Sequence, residues 1–243
     1  MKEATLYAYG RSTVNGKWEI DRSRIVNRLY FVNGGTATIG SGRGEYALTA
    51  GKAYIIPACK NFSPLSAAHF DHTFFDFYTA RILHPEHIVE IDGGARGVSE
   101  FFALVNALTE GESIKEKNTA MEDFLCGFLA LINDACAPLP YLENDRLTRA
   151  IRIIHDEYPT VTTAALAKRL ALNESFFIRS FTAAVGLSPM KYIRAIRISY
   201  GKALMQGGIS VAEAAEKCGY SSPSAFYNAV KAELGVSPSQ LIK

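Results

Sequence analysis

The sequence has no long apolar run, no closely spaced cysteines and few histidines. No stretch of its 243 residues approaches about 18 uncharged apolar positions, so no membrane-spanning helix is predicted. The N-terminus, Met1-Lys2-Glu3-Ala4, leads into a polar segment rather than an apolar signal-peptide core, which favours a cytoplasmic protein. The four cysteines are scattered without a Cys-x-x-Cys pair and are expected to be small, reduced, buried side chains: Cys59, Cys126, Cys136 and Cys218.

The five histidines are poorly placed for a metal site. Residues 1–68 contain none, and no His-x-His pair occurs anywhere in the chain. The segment His84-Pro85-Glu86-His87 is the one local group of histidines and a carboxylate, and its proline favours an exposed loop. His69 and His72 are three residues apart in a predicted strand, so they face opposite sides. We therefore predict no metal, no cofactor and no enzymatic reaction.

Charge is unevenly distributed along the chain. The formal net charge is +2, but residues 1–144 carry 13 Lys/Arg against 17 Asp/Glu, whereas residues 145–243 carry 13 against 7. A basic C-terminal half beside an acidic N-terminal half indicates that only the C-terminal half meets a polyanion such as a nucleic acid. A chance distribution of surface charge is the alternative.

Residues 5 to about 80 have the pattern of short β-strands. Aromatic and β-branched runs alternate with turn signals, among them Asn15-Gly16, Asn33-Gly34-Gly35 and Ala50-Gly51. Short strands at this spacing favour a β-barrel or jelly roll.

Two helices and a linker follow the strands. Apolar residues recur with the helical period from about residue 98, and again from Phe124 to Ile132. Ala137-Pro138-Leu139-Pro140 then supplies a linker, and the chain after Asp145 has a helical pattern. The sequence therefore predicts an α+β chain of two domains, residues 1–140 and 145–243. The two apolar stripes also predict a homodimer formed through residues 98–136, unless both helices pack on their own domain.

Residues 161–186 contain a short helix, a turn and a second helix. Thr163–Leu170 is an Ala-rich helical segment, Ala171-Leu172 turns the chain, and Asn173 is suited to cap the next helix. In that helix Phe177 and Phe181 can face inward. Four side chains share its outer face: Ser175, Ile178, Arg179 and Thr182. This is the layout of a helix-turn-helix unit, whose second helix enters the major groove of DNA.

The same arrangement recurs further along the chain. Val211–Cys218 is again Ala-rich, Gly219-Tyr220 forms the turn, and Ser222 caps the next helix. Gly235-Val236-Ser237-Pro238 repeats Gly186-Leu187-Ser188-Pro189 at a distance of 49 residues. Such an internal repeat is far less probable by chance than one motif. The outer face of the second helix carries Ser224, Tyr227, Asn228 and Lys231.

A connecting helix is predicted between the two units, from about Pro189 to Gln206. Its residues, rising ~1.5 Å each, give a length of roughly 27 Å. That length could place two recognition helices on one face of DNA, about one turn or ~34 Å apart.

Several segments carry a specific family pattern: Phe177-x-Arg179-x-Phe181, Gly186-x-Ser188-Pro189-x-x-Tyr192, Arg197-Ile198, Ile209–Ala215, Cys218–Phe226 and Lys231-x-x-x-Gly235-Val236-Ser237-Pro238. With them, residues 145–243 resemble the DNA-binding domain of the AraC/XylS family of bacterial transcription regulators. The resemblance implies that Ser175, Ile178 and Arg179 face bases from the first recognition helix, and Ser224, Tyr227 and Asn228 from the second. We also expect DNA contacts from Thr182, Arg194 and Lys231.

The second unit departs from the family pattern. It has Asn228 where the family usually has Arg, and Val230 where it usually has Phe. Residues 145–206 hold 10 Lys/Arg against 4 Asp/Glu, whereas residues 207–243 hold 3 against 3. Because phosphate contacts supply much of the binding energy, the first unit is expected to dominate affinity.

The N-terminal strands resemble the cupin-like regulatory domain of many proteins of this family, through Gly51-x-x-x-x-x-Pro57 and Phe70-Asp71-His72-x-x-x-x-Phe77. In cupin enzymes a metal-binding histidine usually lies five residues after that proline, and here the position is Phe62. Candidate pocket residues for a sugar or small aromatic ligand, unless they are simply core, are Trp18, Arg28, Tyr30, Tyr54, Phe62, His72 and Phe74.

The resulting hypothesis is a ligand-responsive, DNA-binding transcription regulator. Its expected partners are double-stranded DNA, a small-molecule effector, RNA polymerase and a second copy of the chain. Two alternatives remain at this point: a cupin-type metalloenzyme with an appended helical domain, and a ligand-independent DNA-binding regulator whose barrel serves for dimerisation.

Overall fold

The computed structural model describes residues 4–17, 25–41, 44–58, 62–79, 81–84, 87–95, 97–109, 115–116, 119–135 and 138–241. The chain divides into two units, Met1–Leu142 and Glu143–Lys243. Trp18, Cys59, Cys136 and the Pro85-Glu86 pair lie outside the described residues, and so does part of the predicted linker.

The described residues of the N-terminal unit form seven strands and two helices. The strands are β1 (Ala4–Gly16), β2 (Asn27–Ser41), β3 (Gly44–Thr49), β4 (Lys52–Ile56), β5 (Ser63–Thr79), β6 (Val89–Asp92) and β7 (Lys115–Glu116), and the helices are α1 (Val98–Thr109) and α2 (Thr119–Ala135). All pairings are antiparallel, in the order β6-β4-β2-β5-β1-β7, with β3 paired to β2. The pairings within the described ranges do not join β6 to β7. The predicted β-barrel or jelly roll is therefore not confirmed, whereas the predicted α+β composition is.

The long strands β2 and β5 bend where their register shifts. Three shifts interrupt their pairing, two of them around Gly34. At Gly35, φ is +68° and an added Cβ would lie 2.1 Å from the carbonyl oxygen of His69, so only glycine fits there. Bulges of this kind increase strand twist and bend the sheet.

The bent sheet has an apolar core on each face, because successive strand residues point to opposite sides. Leu29 and Phe31 of β2 pack with α1 and α2, and the Phe31 and Phe128 rings are 5.0 Å apart. The buried carboxylate of Glu122 in α2 accepts a hydrogen bond from Leu6 N–H of β1 at 2.9 Å. Tyr30 and Val32 belong to the second core, on the other face.

The two helices of this unit differ in exposure. In α2 the residues Met121, Leu125, Phe128, Leu129 and Ile132 are all buried in the unit's own core. In α1, Val105 is buried but Leu104 and Leu108, one helical turn apart, are each 48% exposed. The exposed apolar pair identified here lies on α1, and the homodimer through residues 98–136 stays a prediction.

The C-terminal unit is helical. Its helices are α3 (Asp145–Glu157), α4 (Thr163–Arg169), α5 (Glu174–Val185), α6 (Pro189–Gln206), α7 (Val211–Lys217) and α8 (Pro223–Leu234), followed by a 3-10 turn at Pro238–Gln240. Each α-helix is capped by a polar side chain that accepts a backbone N–H bond: Asn144, Thr162, Asn173, Ser188, Ser210 and Ser222. Both α5 and α8 end at a left-handed glycine, Gly186 and Gly235, each with φ of 76°.

α6 packs against the buried sides of α5 and α8. Tyr192 near its start contacts Phe181 of α5, with ring centroids 5.5 Å apart. Near its end, Gly201 lies so close to α8 that an added Cβ would be 2.5 Å from Cζ of Phe226. None of the described helices is both long and apolar enough to cross a lipid bilayer.

Candidate nucleic-acid interface

The α4–α5 and α7–α8 pairs are joined by related turns. In the first, Ala171 adopts φ of 52° and Leu172 N–H bonds to Ala167 O at 2.9 Å. In the second, Gly219 adopts φ of 75° and Tyr220 N–H bonds to Ala215 O at 2.9 Å. The cap follows two residues after Ala171 but three after Gly219, so the second turn is one residue longer. The two predicted helix-turn-helix units therefore share their hydrogen bonding but not their turn length.

Buried aromatic residues fix the inner faces of α5 and α8. Phe177 and Phe181 are fully buried in the first unit, and Phe226 is fully buried in the second. The Phe226 ring packs edge-on against Tyr220, with centroids 5.1 Å apart. Because these rings hold each helix by one side, the opposite side is presented to solvent.

The predicted outer faces are exposed as expected from the helical period. On α5, Ile178 is partly exposed and the other three predicted side chains are exposed: Ser175, Arg179 and Thr182. On α8 all four are exposed: Ser224, Tyr227, Asn228 and Lys231. Thr182 Oγ1 donates to Ile178 O at 2.6 Å. In the part of the chain that the structure describes, no hydrogen bond or ion pair engages the side chains of Arg179, Asn228 or Lys231. These groups are available to a ligand outside the chain.

Arg194, predicted to contact DNA, is exposed on α6 but already has a carboxylate partner. Its Nη2 lies 2.8 Å from an Oε of Glu233 in α8, and both side chains are partly exposed. The ion pair ties α6 to α8 and offsets one positive charge. An exposed pair of this kind is weak enough to exchange partners.

Arg197 has a structural function that the sequence motif did not reveal. Its guanidinium donates to the carbonyl oxygens of Tyr158, Pro159 and Val161 at 2.7, 3.1 and 3.3 Å. These bonds hold the segment between α3 and α4 against α6. Its place in the family pattern was the only sequence signal, and that pattern did not indicate which atoms it would contact.

Most of the predicted ligand residues of the N-terminal unit come together on one face of its sheet. His72 lies 4.7 Å from the Tyr30 ring and 6.1 Å from Phe74, centroid to centroid. Phe62 and Tyr54 belong to the same apolar cluster. Among the described residues of this predicted set, Phe62 and Phe74 are partly exposed and the others are buried.

Two polar groups lie within this face. Arg28 is buried with its Nε 3.6 Å from an Oδ of Asp76. Burial lowers the pKa of His72 to about 4, so its ring is neutral at physiological pH. Among the described residues, no three His, Cys, Asp or Glu side chains lie close enough together to hold a metal ion.

Comparison with known proteins adds a family and a fold. Residues 166–243 match a helix-turn-helix domain family. The Msm operon regulatory protein of Streptococcus mutans is 30% identical over 114 residues, which are 44% of this chain and 41% of that protein. The chain thus spans less than half the length of this curated relative.

Two solved structures share the fold over almost the whole chain. An apo variant of ToxT from Vibrio cholerae has a TM-score of 0.61 at 16% identity, covering 100% of this chain and 97% of that one. ToxT bound to an unsaturated fatty acid has a TM-score of 0.57 at 17% identity, covering 98% and 94%. Identity this low shows a common fold alone. The repeated turns, the capped helices and the family match agree on one assignment: residues 166–243 form a helix-turn-helix domain.

Proposed function

We propose that the protein is a sequence-specific, DNA-binding transcription regulator of the bacterial cytoplasm that catalyses no reaction. The observation that carries the proposal is the pair of exposed faces on α5 and α8. Each helix is anchored by buried phenylalanine, and each presents side chains of the types that bind base edges. Arg179 suits a bidentate contact with guanine, and Asn228 suits adenine. Ser175, Thr182, Ser224 and Lys231 flank them as candidates for further base or phosphate contacts.

The N-terminal unit is proposed as the part that responds to a small molecule. Its resemblance to cupin-like regulatory domains supports this assignment, and so does the aromatic face around His72 and Tyr30. ToxT, which shares the fold, has been solved with an unsaturated fatty acid. A sugar or small aromatic ligand remains our proposal for this chain, with RNA polymerase and a second copy of the protein as further partners.

Selection from a random double-stranded DNA library with the purified full chain tests the proposed function. A regulator of this type enriches a defined motif, and Arg179→Ala should weaken binding to that motif by about 1–3 kcal/mol while relaxing preference at one base. Arg152→Ala, an exposed arginine of α3, is the matched control and should leave base preference unchanged.

Two results would count against this assignment. Failure to enrich any motif would refute sequence-specific binding. An equal loss on the selected motif and on random DNA would place Arg179 on a phosphate instead of a base.

A further inference from the structure

A pocket of about 770 Å³ lies within the C-terminal unit. Four segments that are distant in sequence line it: the start of α4, the side of α5, the first half of α6 and the turn before α8. The side chains that matter to its chemistry are Ala164, Ile178, Met190, Arg194, Arg197 and Tyr220. Its volume falls in the range of small-molecule sites, roughly 300–1,000 Å³.

One wall of the pocket is apolar. Ala164 and Ile178 line it, together with Met190, which is 70% exposed although methionine is usually buried. A flexible thioether side chain at the edge of a concave surface can close over an apolar group and lose its exposure to water. This wall therefore fits a compact hydrophobic body.

Two arginines of α6, Arg194 and Arg197, also line the pocket, on the same face of that helix as Met190. The Arg197 guanidinium donates its hydrogen bonds to backbone carbonyls, and within the described residues it forms no ion pair with a carboxylate. Arg194 lies on the same helix, with Glu233 as its partner. Glu174 of α5 also lines the pocket, so once Glu233 is counted the two arginines are balanced by two carboxylates. Among the described residues, Arg197 is the pocket arginine with no carboxylate in an ion pair with it.

Tyr220 also lines the pocket and has a hydroxyl that is unpaired in the described part of the chain. Its hydroxyl oxygen is buried and has no hydrogen-bond partner among the described residues. Burial raises the pKa of Tyr220 to about 12, although Arg197 and Arg194 each act to lower it. The phenol is therefore protonated at physiological pH and can donate a hydrogen bond. Buried polar groups in native proteins are almost always hydrogen-bonded, and an exception calls for an explanation.

We propose that this pocket binds a small organic anion with a compact apolar body, such as a hydrophobic carboxylate. The anion would accept hydrogen bonds from Tyr220 and an arginine, and the apolar body would pack against Met190 and Ile178. A phosphate of the DNA backbone would use the same cations but would leave the apolar wall uncovered. The wall therefore favours the organic anion.

Occupation of this pocket has a consequence for DNA. Ile178 belongs both to the pocket wall and to the exposed face of α5. A bound anion would cover part of that face and would bring negative charge close to a DNA phosphate. Ligand and DNA are therefore expected to compete, a step that rests on the proposed function, whereas ligand binding itself does not.

The test uses methyl NMR of the full chain labelled at methionine. The chain has four methionines: Met190 lines the pocket, Met121 is buried in the N-terminal unit and Met205 is buried beside α8. The probes are 1-adamantanecarboxylate, its neutral carboxamide and the cationic 1-adamantanamine, which share one apolar body. We expect the Met190 signal to shift with the carboxylate, about tenfold more weakly with the amide and least with the amine.

Two adjacent alanines provide matched variants. Ala164 and Ala165 are both exposed on α4, but only Ala164 lines the pocket. Ala164→Trp should fill the pocket and weaken carboxylate binding at least about tenfold, whereas Ala165→Trp should change it less than about twofold. Met190→Leu assigns the signal.

Several outcomes would overturn the proposal. No Met190 shift would do so, and so would a shift at Met121 alone, which would place the probe in the N-terminal unit. Equal binding of all three probes would show that the pocket does not select an anion, which would contradict the proposal. If Ala164→Trp weakens DNA binding but the carboxylate never binds, the pocket is a DNA contact instead. DNA binding is measured separately, so failure of the proposed function would leave the ligand result intact.

Discussion

At the scale of single residues, the two helix-turn-helix turns place different demands on one position. Ala171 has φ of 52°, a left-handed conformation that costs an L-residue about 1–2 kcal/mol. Gly219 occupies the matching place with φ of 75°, and an added Cβ would lie 1.8 Å from the carbonyl oxygen of Pro159. The first turn therefore tolerates a side chain at a cost, and the second has no space for one.

Reciprocal substitutions at these turns should have opposite effects. Ala171→Gly should raise the free energy of unfolding of the C-terminal unit by roughly 0.5–1 kcal/mol, because relief of strain exceeds the added freedom of the unfolded chain. Gly219→Ala should lower it by about 2–4 kcal/mol through strain and collision with Pro159. Calorimetry of the full chain measures both as shifts in melting temperature. A destabilised Ala171→Gly variant would show that the left-handed alanine is not strained.

A second residue-scale prediction concerns pH. Burial lowers the pKa of His155 to about 4, and its Nε2 lies 3.2 Å from the Tyr192 hydroxyl oxygen. In the unfolded chain histidine titrates near 6.5, so as the pH falls the unfolded state takes up the proton first. The contribution of His155 to the free energy of unfolding is therefore fully present above about pH 6.5. It is lost as the pH falls from about 6.5 to 4, by at most roughly 1.4 kcal/mol per pH unit.

The measurement is denaturant unfolding at pH 7, 5.5 and 4.5, followed at the Met205 methyl of the C-terminal unit. His155→Phe keeps a ring of similar size and should flatten the pH dependence there. The Met121 signal of the N-terminal unit is the control, since His72 has its own pKa of about 4 and is untouched. An unchanged slope at Met205 would mean that His155 does not carry the effect.

At the scale of helices, α5 and α8 have the same shape but different electrostatic surroundings. Residues 145–206 hold 10 Lys/Arg against 4 Asp/Glu, and residues 207–243 hold 3 against 3. In the second unit Lys217 is paired with Glu213 at 3.1 Å. Because each phosphate neutralised contributes about −0.9 to the slope of log K against log salt, most of that slope should arise from the first unit.

Salt titrations of DNA binding test this asymmetry. The double variant Arg179→Ala, Arg194→Ala should flatten the salt slope by about one unit or more. Asn228→Ala should leave the slope unchanged and lose less affinity, since a neutral amide displaces no counterion. Stronger footprinting protection over the segment contacted by α8, or a larger loss with Asn228→Ala, would reverse the ranking.

The helical elements could be predicted from sequence because their signals are local. Asn173, Ser188-Pro189 and Ser222 mark helix starts through bonds within three residues, and the structure has α6 at the predicted residues. Sheet closure could not be predicted, since it depends on register shifts between β2 and β5. The pairing of Arg194 with Glu233 could not be predicted either, because the two residues are 39 positions apart in the sequence. Aromatic strand residues such as Tyr30 and Tyr54 give the same pattern whether they line a pocket or fill a core.

At the scale of the whole molecule, α1 offers a surface for self-association. Leu104 and Leu108 are exposed one turn apart, on a helix whose opposite side packs on the sheet. We predict a homodimer formed through this stripe, and Leu104→Glu with Leu108→Glu should give a monomer by sedimentation at micromolar concentration. Leu65→Glu, an exposed leucine of β5, is the control and should leave the dimer intact. A wild-type monomer, with and without DNA, would contradict the prediction.

The uninterrupted α6 has a consequence for the spacing of the DNA sites. Tyr192 packs α6 against α5 and Gly201 packs it against α8, so we expect α5 and α8 to keep a fixed separation. One base pair inserted between the two contacted segments would displace the second by about 3.4 Å and rotate it by roughly 35° around the duplex axis. A rigid helix of roughly 27 Å cannot follow that rotation. Natural target sites should therefore hold the two segments in a single helical phase, and even an insertion of one full turn should abolish simultaneous contact.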